Sequence, residues 1–167
     1  IVGDESDIGD QLGFFQQSIT MGYEIKKSLY TLADDDTVSG IILDINSPGG
    51  TIYGANAIAE GVAYYKKQTK KPVVAFVSGL AASGGYWSAV SADHIVADLG
   101  TQVGSIGVIS GPFQFYDTVI AQNDGIFSGG VVTQKGIENF YISAGASKDL
   151  GNPYRRMTKG EISSLQT

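Results

Sequence analysis

The sequence contains no cysteine and a single histidine, which excludes two classes of functional site. Without cysteine there are no disulfide bridges and no thiolate metal ligands, and one histidine cannot form a multi-histidine metal cluster. Basic residues are also few, since 11 Lys and Arg stand against 17 Asp and Glu and give a formal net charge of −6. This excess of negative charge disfavours nucleic acid as a partner. We therefore expect no metal, no cofactor and no nucleic-acid partner.

The longest uncharged stretch, residues 72–92, is long enough to span a bilayer. It contains Pro72, three glycines and four serines, which make it a poor membrane helix, so a buried core segment is expected. A length of 167 residues with 43% apolar composition suits one domain, residues 1–167.

Apolar runs and helix-like segments alternate along the chain, which predicts an α/β fold of repeated strand-turn-helix units. The patterns predict strands at 41–45, 73–77, 95–97 and 106–109, helices at 13–33, 53–68, 83–92 and 113–122, and a loop or hairpin region from 123. Thr158 and Glu161 have the spacing of a capping box and predict that a helix begins there.

Two glycine-rich turns follow consecutive predicted strands, at Ser47-Pro-Gly-Gly50 and at Ser83-Gly-Gly85. The second lies between a tight turn expected at Ser78-Gly79 and a helix expected from Ser83. The carboxyl ends of strands are where ligands bind in α/β sheets. A serine at a helix N-terminus beside glycine amides, which ligands can approach closely, is typical of a nucleophile with an oxyanion donor.

Ser83 would need a base to act as a nucleophile. His94 is eleven residues downstream, more than about 10 Å away along a helix, so a Ser-His-Asp triad is not expected. A lysine amine is the remaining base if burial lowers its pKa. Lys148 follows the small residues 143–147, which would let it lie close to other backbone. A solvated surface lysine is the alternative, and the residues alone leave the two open.

Taken together, the motifs resemble those of the signal peptide peptidase A (protease IV) family, Ser-Lys serine proteases with the Clp protease/crotonase type of fold. The segments that carry the resemblance are Asp44-Ile-Asn-Ser-Pro-Gly-Gly50, Gly79-Leu-Ala-Ala-Ser-Gly-Gly-Tyr86, Gly104-Ser-Ile-Gly-Val-Ile109 and Gly145-Ala-Ser-Lys-Asp149.

The resemblance implies a role for each matching residue. Ser83 would be the nucleophile and Lys148 the general base. The amides of Gly84 and of one glycine of the Gly49-Gly50 pair would form the oxyanion hole, and Ser105 would position the lysine amine.

The resemblance also implies a setting for the activity. The substrate would be an extended peptide, such as a remnant signal peptide, and the protein would form a homo-oligomer. We expect the chain to be a fragment that lacks an N-terminal membrane anchor and a C-terminal helical region. The whole protein would then be membrane-associated, with its catalytic domain outside the cytoplasm.

A second functional class stays open at this point: a crotonase-like acyl-CoA enzyme or a non-catalytic assembly module of the same fold. That fold uses paired backbone amides without a serine nucleophile. An acyl-CoA enzyme should place a carboxylate at the site, and neither glycine-rich turn contains Glu.

Overall fold

The computed structural model describes residues 2–3, 19–123 and 129–166. They belong to two compact units, Ile1–Ile106 and Gly107–Thr167. In the first unit the elements are β1 (Val2–Gly3), β2 (Thr20–Met21), α1 (Gly22–Ala33), β3 (Ile41–Ser47), α2 (Ile52–Thr69), β4 (Val73–Ala82), α3 (Gly84–Val90), β5 (His94–Ala97) and β6 (Gln102–Gly104). In the second they are β7 (Val108–Tyr116), β8 (Val119–Asn123), β9 (Gly129–Thr133), β10 (Ile137–Ala144) and α4 (Lys159–Ser164).

A parallel sheet of order β3-β4-β5 forms the centre of the first unit, and β6 pairs with the end of β4. Helix α2 connects β3 to β4, and α3 connects β4 to β5. Parallel neighbours joined by helices are the strand-turn-helix units that the apolar pattern predicts. The α/β prediction is therefore confirmed, as are the predicted strands in β3 and β5 and the predicted helix in α2.

The core of the first unit lies between one face of this sheet and the helices. Val73, Ala75 and Val77 alternate along β4 and are fully buried, as expected for side chains that share one face of a strand. Leu29 of α1 and the α2 residues Ile58, Val62 and Tyr65 pack around Val73. Ala89 of α3 packs in the cluster that contains Ala75 and Val77.

The tight turn expected at Ser78-Gly79 is a prediction that the structure corrects. Strand β4 continues to Ala82, and its pairing with β3 shifts between Ile45↔Val77 and Ser47↔Ala81. Three residues of β4 thus lie opposite Asn46. The Asn46 side-chain oxygen accepts a hydrogen bond from the Leu80 N–H at 3.2 Å. Because this amide has a side-chain partner, the strand passes through a bulge instead of turning.

Helix α1 begins later than predicted, at Gly22, because Thr20–Met21 is the short strand β2. The segment 13–18 of the predicted helix lies outside the described residues. Among the helices that the structure does describe, none combines the length and the apolar character required to cross a membrane.

The second unit contains two antiparallel strand pairs, β7 with β10 and β8 with β9. The helix predicted at 113–122 is wrong, because residues 113–116 belong to β7 and residues 119–122 belong to β8. Phe113 lies opposite Phe140 in the β7–β10 ladder, with ring centroids 5.7 Å apart. Aromatic residues favour strands where cross-strand partners cover them, and this pairing determines the conformation. The capping box at Thr158 and Glu161 is confirmed.

Candidate active site

The two glycine-rich turns meet at the carboxyl ends of β3 and β4. A Cβ atom placed on Gly49 would lie 2.8 Å from the Ser83 Cβ and 3.0 Å from the Gly84 nitrogen. Gly49 has a φ of +114°, a region that side-chain-bearing residues rarely adopt. Only glycine fits this position without strain, so the composition of the loop permits the close approach.

Ser83 has an unusual backbone conformation, with φ 53° and ψ −117°, between the end of β4 and the start of α3. Positive φ in a serine costs about 1–3 kcal/mol and persists only where neighbouring structure holds it. Two hydrogen bonds do so here. The Ser83 N–H donates to the Gly104 carbonyl at 3.0 Å, and the Ser83 carbonyl accepts from the Trp87 N–H at 2.9 Å. The turn places the serine at the N-terminus of α3.

Backbone N–H groups accompany the serine on two sides. Gly84 is the first residue of α3, so its N–H has no acceptor within the helix. A Cβ atom on Gly84 would stand 3.3 Å from the Gly50 nitrogen, which places the loop after β3 next to this helix end. The structure thus brings Ser83, Gly49, Gly50 and Gly84 into one cluster, as the strand-turn-helix pattern predicts.

One amide of the glycine pair is already engaged. The Gly49 N–H donates to the hydroxyl of Ser47 at 3.2 Å, and Ser47 is itself buried. At the end of the same loop, Thr51 caps α2 by accepting a hydrogen bond from the Gly54 N–H at 3.0 Å. These contacts fix the loop from both ends.

Ser105 also belongs to the first unit. It follows Gly104, whose carbonyl accepts the Ser83 N–H, and it has a φ of 54°. The hydrogen bond from Ser83 therefore ties the segment that contains Ser105 to the serine turn.

Lys148 lies in the second unit, in a tight turn after β10. Its N–H donates to the Gly145 carbonyl at 3.3 Å, and Ser147 has a φ of 52°. The Lys148 side chain is half-buried, and burial lowers the pKa of its amine below the ordinary value of 10.5. A desolvated ammonium loses stability relative to the neutral amine, which is the property a lysine base requires.

The single histidine is placed away from the serine. His94 begins β5 and lies opposite Val74, near the start of β4, whereas Ser83 follows the end of that strand. At about 3.3 Å per strand residue, the two are roughly 20 Å or more apart. The structure does not bring His94 to Ser83, in agreement with the prediction that no Ser-His-Asp triad forms.

A cavity of about 410 Å³ in the first unit is lined by Ile42, Asp44, Asn46 and Ser47 of β3 together with Gly85 and Ser88 of α3, among others. None of Ser83, Gly49 or Gly84 lines it. The cavity supports no particular chemistry at the serine.

Sequence reasoning does not single out Asn46 or Gly104. Asn46 is the side chain that satisfies the bulge of β4, and Gly104 provides the acceptor for the Ser83 N–H. Asn46 lies within the motif of residues 44–50, near a strand end where a polar residue that binds backbone is common. Gly104 acts as an acceptor through its carbonyl, which every residue has, so this role gives no signal in the sequence.

Comparisons with known proteins agree with this geometry. The model of peptidase family S49 matches residues 65–167, and the Clp protease model matches residues 14–95. The second match covers β3, α2, β4 and α3, and the fold is of the Clp protease/crotonase type that the motifs predict.

Individual relatives are similar over most of this chain. A protein of Methanocaldococcus jannaschii, named as a candidate protease, is 41% identical over 81% of this chain and 39% of its own length. Protease 4 of Haemophilus influenzae is 37% identical over 84% of this chain and 22% of its own length. A protein of Enterococcus faecium, named as a candidate signal peptide peptidase, is 32% identical over 83% of this chain and 36% of its own length.

The chain thus spans about a fifth to two-fifths of the length of these relatives. The S49 model matches more than half of the chain and includes both Ser83 and Lys148. On this evidence the chain belongs to peptidase family S49, the family of signal peptide peptidase A.

Proposed function

We propose that this chain is a serine endopeptidase in which Ser83 is the nucleophile and Lys148 the general base. The observation that carries the proposal is the Ser83 turn, where a serine at positive φ begins a helix against the Gly49-Gly50 loop. A strained serine beside backbone amides has a catalytic explanation, whereas chain reversal alone would not require serine at this position.

The chemistry follows from the roles proposed for Ser83 and Lys148. The Ser83 Oγ attacks the carbonyl carbon of a peptide bond as its proton passes to the neutral amine of Lys148. The oxyanion that forms is stabilised by the Gly84 N–H and the Gly50 N–H, because the Gly49 N–H is bound to Ser47. The protonated lysine then gives its proton to the leaving amine, and water hydrolyses the acyl-enzyme by the same route.

The substrate class is an extended peptide, which binds by adding a strand beside the glycine-rich loop. The names of the relatives, protease and signal peptide peptidase, support a remnant signal peptide as the substrate. Homo-oligomeric assembly, membrane association through a segment outside this chain and a catalytic domain outside the cytoplasm belong to the same proposal.

Labelling with a fluorophosphonate, which reacts covalently with activated serines, tests the nucleophile. We expect mass spectrometry to locate the adduct on Ser83, and we expect Ser83→Ala to abolish both labelling and cleavage of a synthetic signal peptide. Ser28→Ala is the matched control, because Ser28 is an exposed serine of the same unit, on α1, whose hydroxyl donates to the Glu24 carbonyl at 2.9 Å. This control should label at the wild-type rate.

The opposite outcome would favour the second functional class. A chain that leaves Ser83 unlabelled and cleaves no peptide, but binds acyl-CoA, would be a crotonase-like enzyme. A chain that does neither would be an assembly module. Both results would overturn the peptidase proposal.

A further inference from the structure

Arg155 stands at the centre of an ion-pair cluster in the second unit, and all five of its N–H groups have acceptors. Its Nε and Nη2 donate to the two carboxylate oxygens of Asp149 at 2.7 Å each. Its Nη1 and Nη2 donate to the two carboxylate oxygens of Glu161 at 2.9 and 2.6 Å. The second Nη1 proton goes to the Arg156 carbonyl at 3.1 Å. Only the planar guanidinium offers this number of donors in fixed directions.

The two carboxylates that Arg155 joins are in different elements. Asp149 directly follows Lys148 in the turn after β10, whereas Glu161 lies in the first turn of α4. Glu161 is almost fully buried, at 3% exposure, and also accepts a hydrogen bond from the Thr158 N–H at 2.7 Å. Arg155 therefore anchors the lysine turn to a capped helix end.

Asn152 adds contacts within the turn itself. Asn152 donates to the Asp149 carboxylate at 3.1 Å and accepts from the Tyr154 N–H at 2.9 Å. Both contacts are local in sequence and support the turn without connecting it to α4. Arg155 connects the turn to that helix through Glu161.

We propose that Arg155 is a positioning residue for Lys148, holding the turn so that the lysine amine stays desolvated and oriented. This inference rests on the proposed role of Lys148 as the base. It goes further by assigning a function to a residue six positions downstream of Asp149 that does not itself carry out chemistry.

Arg155 also favours the neutral amine of Lys148 through its charge. A carboxylate next to Lys148 would favour the protonated amine if it were unpaired. The ion pair with Arg155 offsets that charge, and it holds the pKa of Asp149 well below its ordinary value. The same guanidinium lowers the pKa of Glu161 to about 2, so both carboxylates stay ionised at neutral pH. Arg156, the next residue in the chain, is an exposed cation.

The test is the pH dependence of fluorophosphonate labelling at Ser83 in Arg155→Lys. Lysine keeps the charge but cannot bind both carboxylates in a bidentate manner. We expect the labelling midpoint to move up by about one pH unit, equal to about a tenfold lower rate below the midpoint. Arg156→Lys, the same change at the neighbouring exposed arginine, should leave the midpoint in place.

A purely structural role predicts a different result, namely a lower melting temperature with an unchanged midpoint, and that result would overturn the proposal. If Arg155→Lys does not fold, the same measurement is made on Glu161→Gln. Glutamine at this position still supports a capping box but cannot form the ion pair with Arg155. The proposed function fails separately, when wild-type Ser83 is unlabelled or Lys148→Arg labels at the wild-type rate.

Discussion

The Cα atom of Gly49 faces the side chain of Ser83 so closely that a Cβ on Gly49 would lie 2.8 Å from the Ser83 Cβ. The Ala82 carbonyl and the Gly84 nitrogen would each lie 3.0 Å from the same Cβ. All three neighbours of the added Cβ are backbone atoms or a Cβ, and none is the far end of a flexible side chain that could move away. The loop after β3 and the turn after β4 can therefore be in contact only if residue 49 is glycine.

Replacing Gly49 with alanine should damage both folding and activity. The positive φ and the overlap together should lower the free energy of unfolding by about 1–3 kcal/mol. Displacement of the loop should reduce peptide cleavage about 100-fold or more, because the oxyanion donor proposed on Gly50 moves with it. Chemical denaturation and cleavage kinetics measure the two effects.

Gly136→Ala is the matched control for this change. Gly136 has a φ of +102°, but nothing lies within 4 Å of the place that an added Cβ would take, so it shares the backbone strain without the overlap. We expect a stability loss of about 1 kcal/mol and unchanged cleavage. If both variants lost the same cleavage activity, the loss in Gly49→Ala would come from backbone strain alone.

Gly84→Ala should separate activity from stability more cleanly. Gly84 has an ordinary helical backbone, and an added Cβ would meet the Gly50 nitrogen and the Ala55 Cβ at 3.3 Å each. Alanine suits a helix better than glycine by about 0.5–1 kcal/mol, which offsets the tight contact, so the melting temperature should change little. Cleavage should fall about 100-fold, because the methyl group lies between the two proposed oxyanion donors.

Gly160→Ala serves as the reference for Gly84→Ala. Gly160 also lies in the first turn of a helix, and nothing is within 4 Å of an added Cβ. Gly160→Ala should show the change in stability that alanine gives in a helix, without any loss of cleavage activity. A fully active Gly84→Ala enzyme would place the oxyanion hole elsewhere.

Asn46→Ala should disturb the serine through the bulge in β4. Loss of the side-chain acceptor leaves the Leu80 N–H without its 3.2 Å partner, at a cost of about 1 kcal/mol. A bulge that relaxes would displace Ser83 three residues later, so cleavage should fall about tenfold. Asn46→Asp keeps the acceptor and should stay close to wild type. Equal activity in both variants would show that the bulge does not set the position of the serine.

Local signals explain how much of this arrangement the sequence can predict. The apolar runs of β3 and β4, the helical spacing of α2 and the two glycine-rich turns all arise from residues close together in the chain. They suffice to predict that Ser83 and the Gly49-Gly50 loop meet at one edge of a sheet. Strand β7 depends instead on pairing with β10, more than twenty residues later, so the local pattern of residues 113–122 wrongly predicts a helix.

The proposed lysine base shows a second limit of sequence reasoning. A pKa is set by burial and by neighbouring charges, which a chain of residue letters does not contain. Only small neighbours and family resemblance distinguish Lys148 from a solvated lysine in the sequence. The Arg155 ion-pair cluster cannot be predicted from the sequence for the same reason, since it joins residues 149 and 161 through geometry that exists only after folding.

Asp93 should stabilise the first unit in a pH-dependent manner. Its carboxylate pairs with Lys66 at 2.7 Å and accepts from the Val73 N–H at 2.9 Å, and the Lys66 contact is the main cause of its lowered pKa. Because the folded pKa lies below the unfolded value of 3.8, the stabilisation is present above that pH and is lost as pH falls through the folded pKa. Asp93→Asn should therefore be less stable than wild type at pH 7, with the difference shrinking below pH 3.8.

The Lys26–Glu60 pair between α1 and α2 provides the comparison for Asp93. Its contact is 2.6 Å, but the Glu60 side chain is 52% exposed, against 35% for Asp93. At low salt, Glu60→Gln should lower the free energy of unfolding less than Asp93→Asn does. Added salt should reduce the loss in both variants. Denaturant unfolding at pH 7 and pH 3 measures these differences. A larger loss for Glu60→Gln would contradict the role assigned to Asp93.

The pH-rate profile of peptide cleavage tests Lys148 directly. In the proposed dyad only the neutral amine of Lys148 can accept a proton from Ser83, so activity should rise with pH through the pKa of Lys148. Burial lowers that pKa below 10.5, so the midpoint should lie below this value. Lys148→Arg should be inactive across the accessible pH range, because guanidinium remains protonated.

Lys148→Met should also be inactive, yet no less stable at pH 7, since a lysine with a lowered pKa destabilises the folded state relative to the unfolded chain below that pKa. Lys135→Arg, the same change at an exposed lysine of the second unit, should cleave at the wild-type rate. An active Lys148→Arg enzyme would rule out the dyad even where Ser83 is confirmed as the nucleophile.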